Sequence, residues 1–460
     1  MLGDPPRVKP SARRALLVSA FVALFPSAAL AEPPAPPGIA PSPRSLPEYD
    51  GRPPTGTTAA DALLWVPRTV LFPLHVVTEY VFRRPLGFLV ISAERGKWAE
   101  VLSDVFTFGP SNNIGIVPTA LLDFGFQPSV GIYGFHDDFL FKDNALRVHA
   151  ATGGPDWLRL TVADRIPVAK NGSLVIRGEA VRRPDLVFYG IGPLSQRSFR
   201  SRYGSDWIDG SAAFHASLPV GLTADAYMGA RTTSFYGTRC CGDRSLRANS
   251  ASGAFPIPPG YEEGYTSLRS GGKLAFDTRR PRPAPGSGMR VEGVGEFATD
   301  LRAPRVSSWI KYGGTLGGFI DVTGFNHVLS LSATALFTDP VQGDTIPFTE
   351  LVSLGGFNHM SGFLPGRLLG RSAAVATMEY RYPIWAFLDG SAQVAVGNVF
   401  NEHLTGLAPE NLRLSFTFGV RAAGERDHSF SILVGAGTET FGQGATLNEV
   451  RLVLGATRTF

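Results

Sequence analysis

Over most of the chain, apolar and polar residues alternate with a period of two. In "LRLSFTFGVRA", Leu412, Leu414, Phe416, Phe418 and Val420 share one face, and Arg413, Ser415, Thr417, Gly419 and Arg421 share the other. Successive side chains of a strand point to opposite faces, so this pattern predicts a strand with one apolar side. "AAVATMEYRYP" repeats it, with Ala374, Ala376, Met378, Tyr380 and Tyr382 opposite Thr377, Glu379 and Arg381. "HSFSILVGAG" aligns Phe430, Ile432, Val434 and Ala436. "GSLVIRGEAV" (172–181), "GLTADAYMGART" (221–232), "GMRVEGVGEFA" (288–298) and "NHVLSLSATALF" (326–337) behave alike. From residue 113 onward the pattern predicts about sixteen strands.

Alternation alone fits a soluble sandwich, whose apolar faces meet in a core, as well as a barrel in lipid. Three features favour the barrel. The strands are long enough to cross a bilayer tilted. Their polar faces carry Arg and Glu and are rich in glycine, as a wet lumen permits. Tyr380, Tyr382 and Trp385 near a strand end suit an aromatic girdle at the membrane interface. A closed barrel also pairs every backbone group, which lipid demands. The last segment, "NEVRLVLGATRTF", keeps Val450, Leu452, Leu454 and Ala456 in phase and ends on Phe460. Leu452, Leu454 and Phe460 resemble the amphipathic, aromatic-terminated signal that barrel assembly machinery reads during biogenesis, although Arg458 interrupts the apolar run.

The N-terminus has a different texture. Arg7, Lys9, Arg13 and Arg14 precede the apolar stretch "ALLVSAFVALFPSAAL", and Ala29-Leu30-Ala31 forms a small-x-small site. We read residues 1–31 as a cleaved export signal and 32–61 as a Pro-rich linker. Residues 62–110 open with "ALLWVPRTVLFPLHVVTEYVF", apolar but interrupted by Pro67, Arg68 and Pro73. An arginine near the centre argues against a spanning helix. A broken amphipathic segment on the periplasmic side, at a membrane surface or barrel mouth, is expected instead. Residues 111–460 form the barrel. The fold expected is all-β, a transmembrane antiparallel barrel of about sixteen strands with a short N-terminal helical and linker segment.

Charge removes one class of partner. The formal net charge is +4, but the leader holds four basic residues and one acid, so its removal leaves +1. Nothing supports nucleic-acid binding. Cys240 and Cys241 are adjacent, and no zinc spacing exists. The eight histidines are scattered, without a metal-binding pair, and no cofactor is expected. "GFHDDF" (His136, Asp137, Asp138) reads as a solvated strand end. As a hydrolase site it would need a serine placed by the fold, and no Gly-x-Ser-x-Gly elbow is present. The Arg clusters "FRSRYG" and "DTRRPRP" read as solvated loops and strand ends, with lipid phosphates or polysaccharide as their alternative ligands.

Against this background the chain resembles the BamA/TamA-type outer-membrane assembly factor superfamily, in its bacterial surface antigen barrel domain, over roughly residues 110–460. "LAFDTRRPRPAPGSGMRVEGVGEFA" is similar to the family's strand–turn–strand, with Asp277, Thr278, Arg279, Pro285 and Gly288 in place. "LGGFNHMSGFLPGR" (354–367) stands where the family folds a long loop into the lumen. "MEYRYPIW" is similar to the strand after that loop, and "AVGNVF" with "LRLSFTFGVRA" to the penultimate strands. Two departures stand out. Only the linker and the broken segment lie between leader and barrel, so no periplasmic POTRA unit is expected. The family's loop motif has arginine before glycine and an aromatic, where this chain has Ser361, Gly362 and Phe363.

The resemblance implies a lumen loop carried by Gly355, Gly356, His359, Ser361, Gly362, Phe363 and Arg367, with Glu379 and Arg381 on the facing wall. The loop's missing cation coincides with Ala395 at the position of one of the family's acid partners, and Arg367 or Arg371 is a candidate to reach Glu379 in its stead. His359 is either a neutral loop residue or a group titrating near pH 7 that gates a pore. The function implied is membrane-protein assembly, insertion or translocation, without enzymatic activity. The alternatives are a gated or plugged pore for small solutes or lipids and, more remotely, a surface hydrolase. Expected partners are outer-membrane lipids, the assembly machinery during biogenesis, and either unfolded outer-membrane clients or a separate periplasmic partner.

Overall fold

The computed structural model describes residues 105–458 apart from short gaps at 110, 239, 280–285, 303–306, 344, 358, 386–387 and 423–427, together with scattered residues between Trp65 and Ser92. The leader, the Pro-rich linker, Pro285 and Phe460 lie outside the described residues.

Nineteen strands follow in chain order: β1 (Thr107–Phe108), β2 (Ile114–Asp123), β3 (Ser129–Asp137), β4 (Ala145–Gly154), β5 (Trp157–Ala169), β6 (Gly172–Phe188), β7 (Ser201–Ser217), β8 (Leu222–Tyr236), β9 (Tyr265–Asp277), β10 (Gly288–Asp300), β11 (Ser307–Asp321), β12 (Val328–Gln342), β13 (Val352–Leu354), β14 (Leu368–Gly370), β15 (Ser372–Trp385), β16 (Leu388–Phe400), β17 (Arg413–Ala422), β18 (His428–Thr438) and β19 (Leu447–Arg458). Sixteen of them, β2–β12 and β15–β19, close into an antiparallel barrel in which each pairs with its sequence neighbours and β19 returns to β2. β1 adds a two-residue rung to β2, and β13 and β14 form a separate hairpin.

The alternation sorts the two faces of the wall. Outward positions such as Val130, Ile132, Leu316, Leu331 and Met378 are exposed and apolar. In water such a surface would be costly; around a closed barrel it is the lipid face. Among the described residues no helix is long and apolar enough to cross a membrane. Inward positions carry ion pairs: Arg231 and Arg269 on Asp209, Arg177 and Arg159 on Glu179, and Lys311 on Glu296. The long connections 189–200, 237–264, 343–371 and 401–412 share one end of the barrel, and both ends of the barrel sequence lie at the other, short-turn end.

The Asp-Thr-Arg turn lies at the short-turn end. Asp277 accepts from the Arg279 backbone at 3.0 Å and takes its guanidinium at 2.7 Å. Thr278 closes the hairpin against Met289, and Gly288, at φ +146°, lies where a Cβ would press on the Arg279 backbone. At the long-loop end, Phe188, Tyr203, Phe235, Phe255, Tyr261 and Phe348 pack into an aromatic cap. Arg202 departs from its sequence reading as a solvated loop residue. It is wholly buried and pairs with Asp243 at 2.8 Å, because the cap folds over it. Cys240 and Cys241 are joined as a disulfide in the same loop region. Asp137 pairs with Arg147 at 2.7 Å, and Asp138 caps the Asp143 backbone at 2.6 Å, so "GFHDDF" builds a strand end and turn.

Candidate functional site: the seam and the inward loop

Two features of the barrel are irregular, and they meet. The first is the joint between the first and last barrel strands. β10 and β11 pair continuously from Gly288↔Phe319 to Asp300↔Ser307, whereas among the described residues β19 and β2 pair at Val453↔Asp123, Leu454↔Leu122 and Gly455↔Leu121. One further bond, from the Phe124 amide to the Leu452 carbonyl at 2.9 Å, extends the joint. Towards the short-turn end the two strands diverge, and β1 covers the β2 edge only at Ile114 and Gly115. Gly455, at φ +149°, sits at the point of divergence, and a Cβ there would lie 2.7 Å from the Leu121 Cα. A short seam holds two edges with few hydrogen bonds, and strand edges are templates for further strands.

The second feature is the connection between β12 and β15, which turns into the lumen. The hairpin β13–β14 carries it inward, and the chain between ties itself together: Gly355 donates to His359 O at 2.8 Å, Gly356 to Phe363 O at 2.9 Å and Phe363 to Met360 O at 3.0 Å. Gly355 and Gly356, at φ +102° and +73°, permit the turn. Met360 and Phe363 are fully buried with Leu354, Leu368, Val375, Ala395 and Val399. Thus Ala395 forms part of an apolar floor beneath the loop tip. Beside it, Gly362 donates to the Ser415 hydroxyl at 2.9 Å. Wall glycines admit this approach: a Cβ on Gly435 would lie 2.8 Å from the Gly362 Cα, and one on Gly437 would collide with the Phe363 ring.

Two buried arginines hold the loop, and a third, Arg413, shares an acid with one of them. Arg451, on β19, donates through Nη1 to the carbonyls of Gly356 and of Ser361, the latter at 3.1 Å. Its other nitrogens grip Asp123 of β2 at 3.2 and 2.8 Å, and its guanidinium lies 4.8 Å from the Phe357 ring centre. Arg367, within the loop, donates to Ser195 and lies 3.6 and 3.5 Å from Glu439 and Glu449. Arg413 joins Glu439 to the carbonyls of Pro193 and Ser195. The loop's root is fixed by Glu350, which accepts from Tyr265 at 2.6 Å and pairs with Lys311. Burial pushes the Glu350 carboxyl up, but the Lys311 charge and hydrogen bond, the Tyr265 hydroxyl and the Arg231 charge together outweigh it, and the net shift is downward.

The wall residues singled out by sequence lie elsewhere. Glu379 pairs with Arg421 at 2.8 Å; Arg367 reaches Ser195 and the β19-side acids, and Arg371 pairs with Asp339 at 2.8 Å. Neither therefore takes the place expected for it opposite Glu379: the wall beneath the loop tip is apolar, the acids near Arg367 lie by β18 and β19, and the acid that holds Arg371 lies on β12. Arg381 shares the inward phase of Glu379 on β15. His359 is half-buried; burial pushes its imidazole below the ordinary value, with Glu292 restoring part of the shift. A shift in that direction favours the neutral imidazole at pH 7. Leu454 faces outward at the seam and Leu452 is its partly buried neighbour in phase. Sequence reasoning missed Arg451, Asp123, Glu439 and Glu449, whose only signal is a charge in the inward phase of a strand or at its end. Since the Glu379–Arg421 pair is half-exposed on the arginine side, we expect Glu379→Gln to change stability by no more than about 1 kcal/mol in a urea titration.

A closed sixteen-strand antiparallel barrel with a lipid-facing apolar exterior, an abbreviated seam and an inward loop is a membrane barrel of the outer-membrane type. Residues 243–424 match the Omp85 superfamily domain. Among solved structures, BamA from Haemophilus ducreyi lacking POTRA domains 1–3 superposes with a TM-score of 0.52 at 14% identity, covering 75% of this chain and 70% of that one. CdiB from Acinetobacter baumannii gives a TM-score of 0.45 at 10% identity, covering 76% and 60%. No curated protein sequence matches the chain.

Proposed function

We propose that this protein is an outer-membrane assembly or translocation barrel that works by opening its β2–β19 seam to β-structured clients. The observation that carries the reading is the three-pair seam beside strands paired along their full length. Opening it breaks few hydrogen bonds and exposes two edges to which a client strand can add by augmentation. The inward loop, seated on β17 and β18, braces the lumen while the seam is closed. Urea-denatured outer-membrane barrel protein should fold into liposomes faster when this protein is present. Folding no faster than in empty liposomes would overturn the reading.

A second reading, a gated pore for small solutes or lipids, draws on the lumen wall away from the loop. There Arg159 and Arg177 retain partial solvent exposure beside Glu179, as in a wet channel. Ion conductance across planar bilayers separates the two: a sealed barrel removes the pore.

A further inference from the structure

Tyr380 and Tyr382 do not form an exposed girdle. They share the outward phase of β15 with Met378, which is 48% exposed, yet they are 5% and 1% exposed. The Tyr380 hydroxyl lies 2.7 Å from His327 Nδ1, and the His327 ring meets His75 edge-on at 5.3 Å. Arg68 Nε donates to the Val322 carbonyl at 2.8 Å, in the turn between β11 and β12. The N-terminal helical residues thus lie against the outer wall of the barrel, at its short-turn end.

The orientation of this segment is the reverse of a helix docked on a protein in water. At about 100° per residue, Arg68, His75 and Glu79 project within roughly 40° of one another, and the first two are the residues that touch the barrel. The exposed positions are apolar: Val66, Val70 and Tyr80 on the opposite side, with Trp65 and Phe72 on the flank, are 57–72% exposed. The polar side meets the wall and the apolar side points away from it. Around the same wall, Leu316, Ile320, Leu331 and Met378 form the exposed apolar belt, so the helix surface continues a face already turned to lipid.

We propose that the helical stretch between Trp65 and Tyr80 is an interfacial membrane helix. The exposed side chains of Trp65, Val66, Val70, Phe72 and Tyr80 are embedded among acyl chains of the short-turn-side leaflet, and the Arg68–His75–Glu79 side fastens the helix to the barrel. Trp65 and Tyr80 are the aromatic types that anchor at headgroup depth. This inference does not depend on the assembly reading, because it concerns where the segment lies and not what the barrel transports.

The test uses the full chain refolded into phosphatidylcholine–phosphatidylglycerol vesicles, in a Cys240→Ser/Cys241→Ser background. Nitroxides placed through Val70→Cys and Phe72→Cys are compared with one at Met378→Cys, on the lipid belt, and one at Val220→Cys, in an exposed turn. The ratio of oxygen to nickel-chelate accessibility at 70 and 72 should match that at 378 and exceed that at 220 severalfold. A ratio like that at 220 places the helix in water and overturns the proposal. Low accessibility to both reagents means a protein cover, such as a second copy, and overturns it too. Heat-modifiable migration checks that each labelled variant is folded. Quenching by brominated lipid, taken as the difference between the native chain and Trp65→Phe, supplies a second readout without labels; an unchanged difference would count equally against the helix lying in lipid.

Discussion

Arg451→Gln should be the most destabilising single substitution in the barrel wall. The side chain is wholly buried and joins three parts of the molecule: β19, which carries it, β2 through Asp123, and the loop through two carbonyls. Glutamine cannot bridge all of these, and Asp123 would lose its cation. Removing one partner of a buried charge pair costs about 3–5 kcal/mol, because the other charge stays desolvated. We therefore expect the urea midpoint, followed by heat-modifiable migration in liposomes, to fall by the equivalent of about 3–5 kcal/mol, with the lumen's water drawing it towards the lower end. Arg451→Lys should rescue little, since a single ammonium cannot reproduce the two-pronged grip on Asp123. Combining Arg451→Gln with Asp123→Asn should recover part of the loss, as the stranded acid is then neutral. A midpoint unchanged in Arg451→Gln would show that the bridge does not hold the seam.

The wall and its polarity were legible in the sequence, and the site was legible only in outline. Period two assigns each strand residue to a face, so the barrel and its approximate strand number follow from sequence alone. The face does not reveal what covers it. Tyr380 and Tyr382 have the right phase and chemistry for a girdle, yet a segment some 300 positions earlier lies over that part of the wall. The loop anchor was hidden for a related reason. Ser361 signals a missing cation, and the search for a replacement along the loop leads to Arg367 and Arg371. The cation at the loop tip instead comes from the last strand, 90 positions away from Ser361, and it holds backbone carbonyls, which leave no trace in side-chain composition. Its acid, Asp123, is 328 positions distant. Charge moved from loop to wall preserves the brace while erasing the local motif.

Locking the seam should abolish activity while leaving the fold intact. Leu122 and Leu454 are directly opposed at the centre of the three-pair joint, and both face outward. Leu122→Cys with Leu454→Cys, in a background of Cys240→Ser/Cys241→Ser, would place two thiols on adjacent strands at a distance set by strand pairing. Oxidation should leave the barrel folded and more resistant to urea, because the cross-link closes a loop of over 300 residues in the unfolded chain. If clients enter through this seam, oxidised protein should accelerate liposome folding no more than empty vesicles do, and reductant should restore the full rate. The contrast with a control cross-link carries the argument. Val291 and Leu316, each replaced by Cys, oppose each other on the outer face of β10 and β11, where pairing is continuous. A disulfide there constrains a joint that has no reason to open, so activity should persist. Loss in both cross-linked proteins would mean that the barrel must deform as a whole, and retention in both would remove the seam from the mechanism.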